Sequence, residues 1–251
     1  MAPCCLDHWV IETQPLPALR NVATLTERDG ARDTAIAGIH AALRDHLYGA
    51  DVLDQMDFPA AAQVVRDALP TEKKIRSGDL GEIFATEYVI GRTDFAVPLK
   101  RLRYKDDREM AMRGTDVVGL RYVNGRPHVL KLEAKSREVL RQAVIGEACD
   151  SLVEHDCRPK PATLAFIARV LRREGRDGDA ASFEDLQARQ PRYDEIAHMV
   201  FVFSGNDPVP ALSAHAGPRG PVQDRRFVGM KIPDHQTFIA FVFDSLDAAD
   251  N

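Results

Sequence analysis

Apolar residues recur along this chain with two spacings, one typical of helices and one typical of strands. A spacing of three to four residues predicts helices over 31–47, 59–69, 79–90, 136–153, 162–174 and 181–189. Alternating or continuous apolar runs predict strands over 97–104, 115–123, 127–134, 196–203 and 227–232. A last helix is expected after Asp234, with a buried face formed by Phe238, Phe241, Val242 and Leu246. This order of elements predicts an α/β fold with a mixed central sheet flanked by helices.

Three stretches lack such periodicity. Residues 1–30 are expected to be irregular, residues 71–78 to form a polar linker, and residues 205–226 to form an exposed loop rich in Pro, Gly, Ala and Arg. The chain has 251 residues, which is long enough for a substantial core. We therefore expect a mostly helical N-terminal segment over 1–70 and an α/β domain over 71–251.

The dipeptide Asn124-Gly125 lies between two of the predicted strands and is the strongest short-range signal for a hairpin. If the turn has two residues, paired positions sum to 249, and Asp116 lies opposite Glu133. Opposite residues of an antiparallel pair point to the same face of the sheet. Lys135 shares that face because side chains alternate along a strand. Two carboxylates and an ammonium group are thus predicted to converge at the open end of the hairpin.

Two carboxylates in opposite positions repel each other, and a divalent cation is the simplest group that would offset this repulsion. Magnesium prefers oxygen ligands, and carboxylates that hold it are typical of enzymes that cleave phosphodiesters. A nearby lysine can position the attacking water and stabilise the charge of the transition state. The alternative is a surface hairpin in which Lys135 forms a salt bridge across the strands. The spacing alone leaves both interpretations open.

Three further residues are candidates because of their positions. Glu82 lies on the helix that precedes the sheet and could complete a metal site, although Asp79-x-x-Glu82 also fits a capping box at a helix start. Arg137 and Gln142 follow Lys135 on the next predicted helix and could face the substrate, or could belong to a solvent-facing helix surface.

The composition limits the possible partners. The net charge of −5 carries no overall nucleic-acid signature, so binding to nucleic acid would need a local basic surface. Basic segments occur at 100–105, 169–176 and 219–231, and such segments are more often solvated faces than binding sites. No apolar run approaches the roughly 18 residues of a membrane span, and no signal peptide is evident. Four cysteines in a chain of this length do not indicate a disulfide framework, so a reducing, cytoplasmic location is expected.

Three segments together resemble the HamA-type effectors of the Hachiman antiphage defence system, within the PD-(D/E)xK nuclease superfamily. They are RSGDLGEIFATEYV, VPLKRLRYKDDREMAMRGTDVVGL and LKLEAKSREVLRQAVIGEACDSLVEH. The resemblance covers about residues 75–205 and rests on Gly81-Glu82, on Gly114-Thr115-Asp116 and on Glu133-Ala134-Lys135. Thr115 stands where the superfamily motif has proline, so the literal Pro-Asp pair is absent.

The resemblance implies a restriction-endonuclease-like core and a Mg²⁺- or Mn²⁺-dependent deoxyribonuclease. It implies that Glu82, Asp116 and Glu133 are metal ligands and that Lys135 is the catalytic lysine. Gln142 would be the helix residue that supports the site. The implied partners are DNA, cut with little sequence specificity, and a HamB-like helicase of superfamily two. Two other functions stay open, a non-catalytic subunit that binds nucleic acid or a partner, and a site-specific endonuclease of restriction type.

Overall fold

The computed structural model describes residues 4–48, 67–217 and 225–249. Its strands are β1 (Val10–Thr13), β2 (Val22–Glu27), β3 (Val117–Val123), β4 (Arg126–Arg137), β5 (Ile196–Ser204) and β6 (Arg225–Lys231). Its helices are α1 (Arg32–Leu47), α2 (Lys73–Arg92), α3 (Gln142–Val153), α4 (Pro161–Arg173), α5 (Asp177–Arg189), α6 (Val209–Ser213) and α7 (His235–Ala249). Short 3-10 turns occur at Arg101–Tyr104 and Tyr193–Glu195. None of the helices in these ranges has the length and apolar character needed to cross a bilayer.

The six strands form one mixed sheet in the order β1-β2-β6-β5-β4-β3. The four inner strands run parallel, and the two edge strands β1 and β3 pair antiparallel with their neighbours. Strand β5 is almost continuously buried, as expected for a parallel strand that is covered on both faces. The predicted α/β class with a mixed sheet is confirmed.

Helices cover both faces of the sheet, and alternate residues of β5 separate the two layers. Phe201 and Phe203 pack with α1, α2 and α7 on one face. Val200 and Val202 pack with α3 and α6 on the other face, where α4 and α5 cover the β3 end. The first layer also contains Leu6, Trp9, Leu25 and Ile39, so residues on both sides of position 70 contribute to one core.

The hairpin was predicted correctly, including its register. Val117 pairs with Leu132 and Val123 with Arg126, so that paired positions sum to 249. Asn124 and Gly125 both have positive φ, at 51° and 76°, which is the conformation of a type I′ turn. Pro127 lies opposite Tyr122, and β4 pairs with β5 only from Val129 onwards, so the absent N–H of Pro127 interrupts no ladder on that side.

Other predictions were wrong because distant pairing decides them. The described residues 4–30 are not irregular throughout, since they contain β1 and β2, and β2 pairs with β6 and β1 with β2. The predicted strand 97–104 is absent: Ala96 forms one bridge with Leu120, and Arg101–Tyr104 is a 3-10 turn. The helix predicted from 136 begins instead at Gln142, because β4 continues beside β5 as far as Arg137.

Further differences concern helix boundaries and exposed segments. Helix α2 begins at Lys73, within the predicted linker 71–78. The described part of the predicted loop 205–226 contains α6, and β6 begins at Arg225. Phe241 is 45% exposed, so it lies outside the buried face of α7. Most of the predicted helix 59–69 lies outside the described residues.

Candidate functional site

Asp116, Glu133 and Lys135 meet where the β3–β4 hairpin opens. Asp116 immediately precedes β3, and one of its carboxylate oxygens accepts a hydrogen bond of 2.9 Å from the backbone N–H of Ala134. Lys135 Nζ lies 3.5 Å from Glu133 Oε2. The side chain of Glu133 is only 8% exposed, while those of Asp116 and Lys135 are about one-fifth exposed, at 20% and 22%. The three groups therefore lie in a recess and not on a fully solvated face, and the ion pair of Lys135 is with Glu133 of its own strand.

Glu82 reaches the same region from α2. Gly81 permits this approach, because a Cβ atom there would lie 3.0 Å from the Cβ of Ser136 on β4. Glu82 lies well inside the helix, which begins at Lys73, so the capping-box alternative is wrong. Asp79 is also internal to the helix, and its carboxylate accepts a 2.8 Å hydrogen bond from Lys105.

Arg101 bridges two of the three carboxylates. Its Nε and Nη2 atoms donate to the two oxygens of Glu82 at 2.7 and 2.9 Å. Nη2 also donates to Asp116 Oδ1 at 3.1 Å, and Nη1 donates to the carbonyl of Arg113 at 3.2 Å. Asp116 thus shares the Arg101 guanidinium with Glu82, and its charge also acts on Glu133.

The electrostatics of the recess disfavour ionised carboxylates. Burial raises the pKa of Glu82 to about 7 in spite of Arg101, and the negative charge of Asp116 adds to the shift. Burial also raises the pKa of Glu133 to about 7, again with a contribution from Asp116. Although burial opposes the charge of Arg101, Glu82 and Asp116 keep its pKa above the ordinary value. Such perturbed groups in a cleft are typical of functional sites.

Glu82 and Asp116 line a cleft of about 530 Å³, and Glu133 is not among its lining residues. Lys135 also lies on its walls, together with four further basic side chains, those of Lys73, Lys74, Arg101 and Arg137. Arg137 was predicted to face the substrate, and it does line this cleft. Gln142 is exposed at the first position of α3 and is not among the residues that line it.

The basic segment 100–105 is neither a solvated face nor a free phosphate-binding surface. Lys100 pairs with Asp45 and Glu87, and Arg103 pairs with Asp45. Arg101 and Lys105 pair with the carboxylates of α2 described above. The sequence shows the cations of this segment, but their partners are up to 58 residues away and cannot be read from local spacing.

Two buried features near the site were not anticipated. Ser136 shares hydrogen bonds with Ser77 on α2, at 2.8 Å, and with His235 on α7, at 3.0 Å, which links both helices to β4 beside Lys135. Lys131 is fully buried, and its ammonium group donates to three carbonyls at the end of α3 at 2.9–3.0 Å. The strand therefore carries two lysines on one face, and only Lys135 reaches the cleft.

The donor set fits a magnesium ion only in part. Across the described ranges, no three His, Cys, Asp or Glu side chains are grouped as a metal cluster. Asp116 and Glu133 offer two neighbouring carboxylates, and magnesium in proteins often takes one or two carboxylates plus water and phosphate oxygens. Glu82 is directed to Arg101 and does not join this pair in the arrangement described.

Comparison with known proteins finds a family match along almost the entire sequence. The sequence model of the HamA family matches residues 5–246. The Hachiman protein HamA of Bacillus cereus is 27% identical over 195 residues, which cover 77% of this chain and 69% of that protein. Because the family match includes the hairpin, α2 and both flanking layers of helices, the chain belongs to the HamA family.

Proposed function

We propose that this chain is a metal-dependent DNA endonuclease and the effector of a Hachiman-type antiphage defence system. The observation that carries the proposal is the convergence of Asp116, Glu133 and Lys135 at the edge of a cleft. The walls of that cleft also carry the basic side chains of Lys73, Lys74 and Arg137. Membership of the HamA family and similarity to a Hachiman protein support the defence role. The mixed sheet, with its functional residues at the mouth of a hairpin, is compatible with the PD-(D/E)xK nuclease fold.

In this proposal Asp116 and Glu133 would hold Mg²⁺ or Mn²⁺, with Glu82 as a further carboxylate ligand. The bound ion would polarise the scissile phosphate and make a bound water more acidic. Lys135 would orient the attacking water and offset the negative charge that builds up on the phosphate oxygens. The Ala134 N–H fixes the Asp116 carboxylate, so the ligand is already oriented before substrate arrives.

The basic side chains at the cleft would bind the DNA backbone. Lys73 and Lys74, in the first turn of α2, and Arg137, at the end of β4, would contact phosphates. The net charge of the whole chain is −5, so its affinity for DNA on its own should be modest and sensitive to salt. We therefore expect efficient cleavage to require a partner that delivers DNA, which we propose is a HamB-like superfamily-two helicase.

The direct test is cleavage of supercoiled plasmid by the purified chain, alone and with the helicase, in Mg²⁺, in Mn²⁺ and in EDTA. Glu133→Gln and Lys135→Met should each lower the cleavage rate by at least about 100-fold. Glu147→Gln removes an exposed carboxylate on α3 and serves as the matched control. Cleavage by the two site variants at the rate of the control would refute the assignment. Sequencing of the cut ends tests for a site-specific enzyme, which would produce one recurrent motif.

A second candidate is a non-catalytic subunit that binds nucleic acid or a partner protein. The observation that favours it is the guanidinium of Arg101, which pairs with both Glu82 and Asp116 and so offsets their charge. Titration calorimetry with Mn²⁺ separates the two candidates. An absence of metal binding, even with DNA present, would favour the non-catalytic subunit.

A further inference from the structure

We propose that Arg101 is a resident cation of the carboxylate site, which competes with the divalent metal for Glu82 and Asp116. The complete three-carboxylate site then forms only when this guanidinium withdraws. This inference rests on the proposed function and adds to it a control step within the chain itself.

The geometry of Arg101 is that of a bound cation. Its side chain is only 8% exposed, and it binds both oxygens of Glu82 in the parallel, two-bond arrangement that is the strongest form of this pair. Among the described residues, Arg101 supplies both of the hydrogen bonds that Glu82 accepts. Its third carboxylate contact, to Asp116 Oδ1, is at 3.1 Å.

Competition follows from the way the oxygens of Asp116 are used. Oδ2 accepts the backbone N–H of Ala134, and Oδ1 accepts Arg101. A metal that recruited Glu82 to Asp116 would have to take the oxygens that the guanidinium now binds. A divalent cation at that position would also repel the guanidinium, because both carry positive charge in a poorly solvated recess.

The two clefts beside Arg101 leave space for its side chain to change position. Arg101 lies on a short 3-10 turn between the first cleft and a second cleft of about 560 Å³, and it lines both. Its Nη1 atom already donates to the carbonyl of Arg113, a residue on the wall of the second cleft. The guanidinium can therefore rotate towards the second cleft while the backbone of the 3-10 turn stays in place.

The test is a double-mutant cycle of Mn²⁺ affinity, measured by titration calorimetry without DNA. Arg101→Met removes the charge and keeps much of the length of the side chain, and we expect it to bind Mn²⁺ about tenfold more tightly or better. Glu82→Gln should change the affinity of the parent chain by less than about twofold, because Arg101 already occupies that carboxylate, yet it should abolish the gain in the Arg101→Met background. Lys105→Met, which removes a neighbouring cation bound to Asp79, is the matched control and should give no comparable gain.

Arg101→Lys is the control for a folding defect in Arg101→Met, because it keeps the positive charge but cannot form the two-bond contact. For this variant we expect a smaller gain in affinity, and we expect Mn²⁺ to raise the melting temperature more in both Arg101 variants than in the parent chain. Equal or weaker Mn²⁺ binding in both Arg101 variants would overturn the inference and identify Arg101 as a residue that positions the ligands.

The cycle also distinguishes failure of this inference from failure of the proposed function. If Asp116→Asn and Glu133→Gln lose Mn²⁺ binding while the Arg101 variants show no gain, the result supports the metal site and refutes the competition by Arg101. If no variant binds Mn²⁺, with or without DNA, both the metal site and the competition are refuted.

Discussion

The buried Glu133 carboxylate should make the stability of the protein depend on pH, and one substitution should remove this contribution. Burial, with the neighbouring charge of Asp116, raises the pKa of Glu133 to about 7 from an ordinary value of 4.5. Between these two values the unfolded chain releases the proton of Glu133 while the folded chain keeps it. The contribution of protonated Glu133 to the stability is therefore fully present below about pH 4.5 and is lost as the pH rises towards 7.

The size of the effect follows from the shift. One pKa unit corresponds to ~1.4 kcal/mol, so ionisation of Glu133 in the folded state lowers the free energy of unfolding by about 3 kcal/mol at pH 8. At pH 5 the loss is under about 1 kcal/mol, because the folded group is still protonated. Glu133→Gln keeps the shape and removes the charge, so it should stabilise the chain by about these amounts at the two pH values.

The assay is urea denaturation of the parent chain and of Glu133→Gln at pH 5 and pH 8, in the presence of EDTA. Glu147→Gln, an exposed carboxylate on α3, should show no such difference between the two pH values. A Glu133→Gln variant that is less stable than the parent at pH 8, or whose gain is the same at both pH values, would refute the reasoning. Confirmation would mean that this carboxylate is kept at the expense of stability, as is common at functional sites.

Three further predictions concern the scaffold and are measured by urea denaturation. Lys131→Met should lower the free energy of unfolding by about 2–4 kcal/mol, because three carbonyls at the end of α3, that of Leu152 in a buried bond, lose their donor. Lys135→Met on the same strand is the control and should lower it by less than about 1 kcal/mol. Gly229→Ala should lower the free energy of unfolding by about 1–3 kcal/mol, since the added Cβ would lie 2.5 Å from the ring of Pro208. An unchanged stability would contradict this close contact. The Cβ added by Gly125→Ala would meet no atom within 4 Å, so this substitution should lower the free energy of unfolding by only about 1 kcal/mol, because of the positive φ. A loss as large as that of Gly229→Ala would show that the turn does more than close the hairpin.

The hairpin was predictable because its determinants are local. Asn124-Gly125 favours positive φ at both turn positions, and this turn fixes which residues of β3 and β4 pair. The side-chain alternation then follows from the pleat, so Asp116, Glu133 and Lys135 could be placed at the open end of the hairpin before any coordinates. Helices α1 and α4 were predicted to within one residue, and α5 was predicted correctly at its end but begins four residues earlier, at Asp177; their apolar faces repeat with helical spacing.

The surroundings of the site were not predictable from spacing. The sequence shows Arg101 as one cation in a basic run, yet its position between Glu82 and Asp116 depends on how α2 and the 3-10 turn pack against the sheet. The same holds for β2, whose four buried residues become a strand because β6 is beside it, some 200 residues later. Local propensity carries no information about a partner at that distance.

The sequence by itself determined which residues could do the chemistry and the register that brings Asp116, Glu133 and Lys135 together, because turn geometry and strand alternation act over a few residues. Only the tertiary structure decided how those charges are neutralised. Buried charges must find partners wherever the packing brings them. Here the packing pairs Glu82 with Arg101, directs Lys131 to the end of α3, and leaves Lys135 to face the cleft.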